Sequence, residues 1–130
     1  MTSCRILADG DVVVARQMAR KRAGELGFSR VDQALIATAI SELARNIVHY
    51  AKSGHIEITE VNRGRRFGLQ VVASDQGPGI ADIDLAMTDG YSTGNSLGLG
   101  LPGTRRLVDE FDIESIPGRG LTVTFIKWKP

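Results

Sequence analysis

"ISELARNIVHYA", Ile40 to Ala51, is the stretch on which the reading of the chain turns. On a helix turning about 100° per residue, Leu35, Ile36, Ala39, Ile40, Leu43 and Ile47 share one apolar arc. Glu42 and Asn46 fall at its edge, one turn apart and therefore neighbours on one helical face. Both side chains can reach the same small ligand or ion. A carboxylate suits a general base, and an amide oxygen is a neutral hard ligand of the kind Mg²⁺ accepts. The same pair also reads as a helix edge bonded to neighbouring backbone or water, and its spacing leaves both readings open.

Upstream, Ser29 offers a hydroxyl to cap this helix, which is expected to run to about Ala51, where "KSGH" breaks it. Residues 11 to 26 place Val12, Val13, Ala15, Met18, Ala19, Ala23 and Leu26 at helical spacing, with Asp9 or Asp11 as cap and Gly27 as stop. Before them "CRILA" reads as a first strand ended by "DGD". Downstream, "HIEITEV" and "RFGLQVVASD" alternate apolar and polar residues around a basic "NRGRR" turn, the pattern of a hairpin. From Gln76 to Gly98 the periodicity dissolves, and a loop that long in a compact domain is usually functional or mobile. Leu99 to Glu110 is expected to be helical, and "FDIESI", "PGRG" and "LTVTFIKW" close the chain as a second hairpin. This order predicts an α+β two-layer sandwich, a mixed, mostly antiparallel sheet with its helices on one face.

At 130 residues the chain suits one domain spanning residues 1–130. Sixteen Lys and Arg against 15 Asp and Glu leave a formal charge of +1, scattered along the sequence, so no basic footprint for nucleic acid is expected. The basic groups Arg16 to Arg22, Arg63 to Arg66 and Arg105 with Arg106 read as solvated faces and turns. A single cysteine, Cys4, excludes an intramolecular disulfide framework, and no Cys/His spacing suits a metal. Neither a signal peptide nor a membrane-spanning run is visible, and a cytoplasmic protein is expected.

Two further stretches bear on chemistry. In "SDQGPGI", Asp75 ends a strand, and Gly77 and Gly79 bracket Pro78. A carboxylate there can accept hydrogen bonds from an exocyclic amine while glycine lets a flat ring approach the backbone. The residue types equally suit an ordinary strand-ending turn. In "STGNSLGLGLPG", glycines open directly into a helix, whose free N–H groups and dipole favour a phosphate. Residues 98 to 103, "GLGLPG", fit the spacing of a dinucleotide fingerprint but lack the preceding strand and the downstream acid, which excludes that reading.

Helix Glu-x-x-x-Asn, strand-end Asp-x-Gly-x-Gly, a long loop and a Gly-rich helix start, in that order over about residues 38 to 126, resemble the GHKL ATPases, the family of gyrase, histidine kinases and MutL. The stretches "DQALIATAISELARNIVHYA", "DQGPGI" and "DGYSTGNSLGLGLPGTRRLVDEF" are similar to the RsbT-type serine/threonine switch kinases, near the anti-sigma-factor kinases.

The resemblance implies the Bergerat ATP-binding fold, with ATP and Mg²⁺ as the small molecules used. Glu42 would be the base for the attacking hydroxyl, and Asn46 would ligate Mg²⁺. Asp75 would bond the adenine amino group, with Gly77 and Gly79 letting the ring sit against the turn. Gly94, Gly98 and Gly100 would shape a lid and present N–H groups to the phosphates, with Ser92, Thr93, Asn95 and Ser96 as lid contacts.

Relatives often carry Gly-Thr near the end of the last hairpin, the Thr supporting the adenine-binding Asp. Here Leu121 takes that place and the hydroxyl moves to Thr122, which strand alternation faces the other way. Residues 92 to 104 also contain no Arg or Lys, where some anti-sigma relatives place a cation in the lid. His49 is expected to be structural or solvent-facing rather than a phosphoacceptor, and Tyr50, Trp128 and Met18 to be packing residues.

The implied activity is that of a protein kinase phosphorylating a Ser or Thr of a STAS-domain antagonist within the stressosome. Once released, it would bind and activate a PP2C-type phosphatase; nucleic acid and membrane are not expected partners. The alternatives are an anti-sigma factor kinase holding a sigma factor, and an ATP-dependent binding module with little turnover.

Overall fold

The two alternating stretches that flank the "NRGRR" turn form the middle of a five-stranded sheet. The computed structural model describes residues 2–51, 53–79, 87 and 100–130. Its strands are β1 (Thr2–Ile6), β2 (Gly54–Arg63), β3 (Arg66–Asp75), β4 (Glu110–Ile116) and β5 (Gly120–Trp128). Its helices are α1 (Asp9–Glu25), α2 (Arg30–Asn46) and α3 (Gly100–Arg106). The spatial order is β1-β2-β3-β5-β4, and all four pairings are antiparallel, so the expected mostly antiparallel sheet is wholly so among the described strands.

Register decides which residues meet the helices. Cys4, Ile56, Ala73 and Val123 lie in one row across four strands, with Ile58, Val71 and Phe125 in the next, and these alternate residues are buried. Against them α2 buries Ile36, Ala39, Ile40 and Leu43, the arc anticipated from the sequence. The inward face of α1 is built from Val12, Ala15, Ala19 and Ala23, small side chains that let it lie close along α2.

Several boundaries move for identifiable reasons. β1 ends at Ile6 rather than at Ala8, because the backbone N–H groups of Leu7 and Ala8 donate to Asp11 Oδ2 at 2.8 and 3.0 Å. That reach-back makes Asp11, the third residue of α1, its capping side chain. Ser29 caps α2 as expected, accepting from the Asp32 N–H at 3.1 Å. The α-helical bonding of α2 stops at Asn46, however, and Ile47–Ala51 winds on as a π-turn instead of completing the expected helix. The last helix ends at Arg106, short of Glu110: Asp109 and Glu110 are drawn into the sheet, the Asp109 N–H donating to Ile126 O at 3.0 Å and Glu110 pairing with Ile126.

The "RGRR" arginines do more than face solvent. The guanidinium groups of Arg63 and Arg66 lie 5.1 and 4.3 Å from the ring centre of buried Trp128, whose Nε1 donates to Glu110 Oε2 at 2.7 Å. They fasten the β2–β3 hairpin to β5. His49 is exposed, as expected, whereas Tyr50 is 41% exposed and not a core residue. Among the described residues no helix is long and apolar enough to cross a membrane.

Cys4 sits in the buried row of β1, where burial, and secondarily the Asp11 carboxylate, pushes its thiol above the ordinary range. Since the thiolate is the nucleophile, alkylation at pH 8 should run at least about tenfold slower in the native protein than in denaturant. Mass spectrometry over time measures it; equal rates would mean that β1 opens readily.

Candidate functional site

The site is assembled where α2 gives way to the π-turn. Glu42 lies deeper than the helix edge on which the sequence places it, only 5% exposed. Arg45, one turn on, donates from Nη1 to Glu42 Oε1 at 2.6 Å. Asn46, half-buried, is the last residue with α-helical bonding. Beyond it the π-turn swings the chain against the end of the sheet. The Ile47 side chain packs on Gly54, the register partner of Asp75, and a Cβ added to Gly77 would come within 2.7 Å of the Ala51 Cα. The end of α2 and the end of β3 are thereby brought together.

Asp75 shares its face of β3 with buried Val71 and Ala73, so it is aimed at the helix layer. Its Oδ1 accepts from the Gly77 N–H at 2.9 Å, which ties the turn to the carboxylate. Two residues on, Gly79 adopts φ +71°, and a Cβ there would come within 2.9 Å of Ile116 O. Pro78 O accepts from the Gly118 N–H at 2.7 Å, and a Cβ on Gly120 would overlap the Asp75 carbonyl oxygen. The turn after β3 is thus clamped, with the π-turn on one side and the β4–β5 hairpin on the other. Both glycines singled out in the sequence are accounted for by these protein contacts.

Ser74 pairs with Thr122 and Ala73 with Val123, so alternation puts Leu121 on the face of Asp75 and Thr122 on the other. Leu121 packs against the core there, and the position at which relatives often place a hydroxyl is apolar.

Gly100 opens α3 with φ +68°, and its carbonyl accepts from buried Thr104 Oγ1 at 2.8 Å. Through this helix it is carried onto α2. Ser92, Thr93, Gly94, Asn95, Ser96 and Gly98 lie outside the described residues. Arg105 and Arg106 are exposed on the last turn of α3. The pocket lined by Leu26, Phe28, Phe67 and Lys129 is at the other end of β3 from Asp75 and takes no part in the site. Among the described residues no three His, Cys, Asp or Glu side chains gather to hold a metal by themselves. Mg²⁺ in phosphoryl-transfer sites needs only one or two protein oxygens beside the phosphates, and the amide of Asn46 fits that demand.

Sequence reasoning missed Arg45, the π-turn and Gly120. The spacing of Arg45 from Glu42 was there to be read; the π-turn leaves no signal in local residue types.

Residues 31–130 match the family model described as histidine kinase-, DNA gyrase B-, and HSP90-like ATPase, and the chain belongs to that family. It is 56% identical over 128 residues to Serine/threonine-protein kinase RsbT of Bacillus subtilis (strain 168), covering 97% of this chain and 96% of that one. It is 31% identical over 120 residues to an Anti-sigma F factor of Thermoanaerobacter sp. (strain X514), 88% of this chain and 82% of the other. Among solved structures, the RsbU and RsbW domains of a Mycobacterium tuberculosis protein superpose on all of this chain with a TM-score of 0.68 at 20% identity. This chain spans 34% of that molecule. The catalytic domain of the histidine kinase ThkA gives a TM-score of 0.57 at 16% identity, over 99% of this chain and 97% of the other. Within the ATPase family this chain is a serine/threonine-protein kinase of the RsbT type.

Proposed function

We infer that the chain, as a single ATP-binding kinase domain over residues 1–130, transfers the γ-phosphate of ATP to a Ser or Thr of a STAS-domain antagonist in a cytoplasmic, stressosome-type partner switch. The observation that carries this reading is the burial of Glu42 and half-burial of Asn46 on the last turns of α2, whose π-turn continuation packs on Gly54 and on the clamped turn after Asp75. A carboxylate is costly to bury, and a module that only bound nucleotide would have no use for one at this place.

Asp75 receives the adenine amino group on the oxygen not engaged by Gly77, and the glycine turn backs the ring. Asn46 would hold Mg²⁺, which when bound would neutralise the charge of the phosphates. Gly100, with Gly94 and Gly98, offers backbone N–H groups to the phosphates, and Ser92, Thr93, Asn95 and Ser96 contact the nucleotide from the lid. Glu42 takes the proton of the substrate hydroxyl while its oxygen forms the new bond to phosphorus; the bond to ADP breaks, and its electron pair leaves with ADP. What remains for the protein is positioning.

Release after transfer frees the kinase to bind and activate a PP2C-type phosphatase. The Mycobacterium protein, whose chain carries an RsbU beside an RsbW domain, supports a partnership of this sort. The Anti-sigma F factors favour a second reading, with a sigma factor as the sequestered partner, at much lower identity.

Incubation with labelled ATP, Mg²⁺ and a cognate STAS-domain protein should place label on a Ser or Thr of that protein. ATP binding without transfer would leave the binding-module reading in its place. Asp75→Asn keeps an oxygen for the Gly77 N–H but replaces the other acceptor with a donor. A hydrogen bond to a charged group contributes about 1.5–3 kcal/mol, so ATP affinity should fall roughly 10- to 100-fold with the fold intact. Calorimetry together with a melting curve decides this; unchanged affinity would place adenine elsewhere.

A further inference from the structure

We propose that Arg45 is a positioning residue for phosphoryl transfer, acting through Glu42 by fixing the orientation of its carboxylate and making no contact with ATP. The proposal rests on the reading of Glu42 as the base.

The geometry is specific. The Glu42 side chain is 7% exposed and that of Arg45 is 44% exposed, so a buried carboxylate meets a guanidinium standing at the rim. Their 2.6 Å contact lies at the short end of charge-assisted hydrogen bonds. Exposed ion pairs contribute little to stability because water screens them and two long side chains must be ordered. Here the carboxylate is withdrawn from water, and without its partner it would be a buried charge left uncompensated.

A glutamate has several rotatable bonds, and a base is useful only when held within about 0.5 Å and 10–20° of its productive geometry. The guanidinium engages Oε1 and leaves Oε2 to take the substrate proton. Because Arg45 is one turn from Glu42 on the same helix, the pair is set by α2 itself. The planar donor fork of Arg orients a carboxylate, whereas Lys presents a mobile point charge, so the two are not equivalent.

The test compares wild type with Arg45→Ala, Arg45→Lys, Glu42→Gln and the double variant Glu42→Gln/Arg45→Ala, measuring kcat, KM for ATP and ATP affinity by calorimetry with a cognate STAS-domain substrate. Arg45→Ala should lower kcat roughly 10- to 100-fold, the scale of a misplaced catalytic group, with KM and affinity for ATP within about twofold. Arg45→Lys should recover part of the loss. In the Glu42→Gln background, removing Arg45 should cost nothing more, since a residue acting only through Glu42 has nothing left to position.

A rise in KM and dissociation constant in step with the fall in kcat would make Arg45 a phosphate ligand and overturn the proposal. So would an equal further loss in the double variant. Full activity in Glu42→Gln would instead remove the base reading itself, whatever Arg45 does. A slow Glu42→Gln beside a fully active Arg45→Ala would sink the positioning role alone. Should Arg45→Ala melt too early to assay, Arg45→Lys and the double variant, which has no unpaired buried charge, carry the same comparison.

Discussion

Glu42→Gln is expected to lower the rate of phosphoryl transfer by roughly 10²–10⁴-fold, the usual contribution of a positioned general base, with ATP affinity within about twofold of wild type. The substitution keeps the shape of the side chain and an acceptor oxygen for Arg45, and removes only the capacity to take a proton. Stability should change little. The variant loses an ionic partner for Arg45, yet it no longer buries a charge at a position 5% exposed, and these effects oppose each other. Single-turnover transfer of labelled phosphate to the STAS-domain substrate measures the rate, and a melting curve in parallel excludes unfolding. Transfer at the wild-type rate would mean that the substrate hydroxyl loses its proton elsewhere and that Glu42 is buried for some other reason.

How much of this was legible beforehand depends on the range over which each feature is determined. The arc from Leu35 to Ile47 and the cap at Ser29 are set by residues within a few turns of one another, and both are in place. So are the two hairpins, whose turns are marked by Gly64 and Gly118. What failed depends on partners distant in sequence. Asp109 and Glu110 continue a helical pattern locally, but Ile126 and Trp128 supply hydrogen bonds that only the assembled sheet provides. The π-turn after Asn46 has the same origin, since its course is fixed by contact with Gly54 and Gly77, on β2 and in the turn after β3. The depth of Glu42 is a third case. A helical wheel gives direction but not the height of the neighbouring layer, and with the sheet on one side and α3 packed on α2, a position at the edge of the arc becomes interior.

The clamp around Asp75 provides the second large effect, at a residue that touches no nucleotide in the proposed site. Gly120→Ala should lower stability by about 2–4 kcal/mol, combining strain at a backbone conformation essentially confined to glycine with a backbone clash. Gly120 has φ +144°, and its added Cβ would overlap the Asp75 carbonyl oxygen, a main-chain atom already committed to the end of β3. Neither side yields cheaply. The hairpin is held to the turn by the Gly118 N–H on Pro78 O, and the turn is backed by Ala51. The displacement therefore falls on the segment that aims the Asp75 carboxylate, and ATP affinity should drop together with stability. Gly118→Ala is the control: it also has positive φ, +80°, but a Cβ there meets nothing within 4 Å. That variant should lose only about 1–2 kcal/mol from strain and bind ATP normally. Denaturant titration and calorimetry on both proteins separate the two causes. Equal losses of affinity in the two variants would point to hairpin strain in general, whereas wild-type affinity in Gly120→Ala would show that Asp75 is aimed by the π-turn side of the clamp alone.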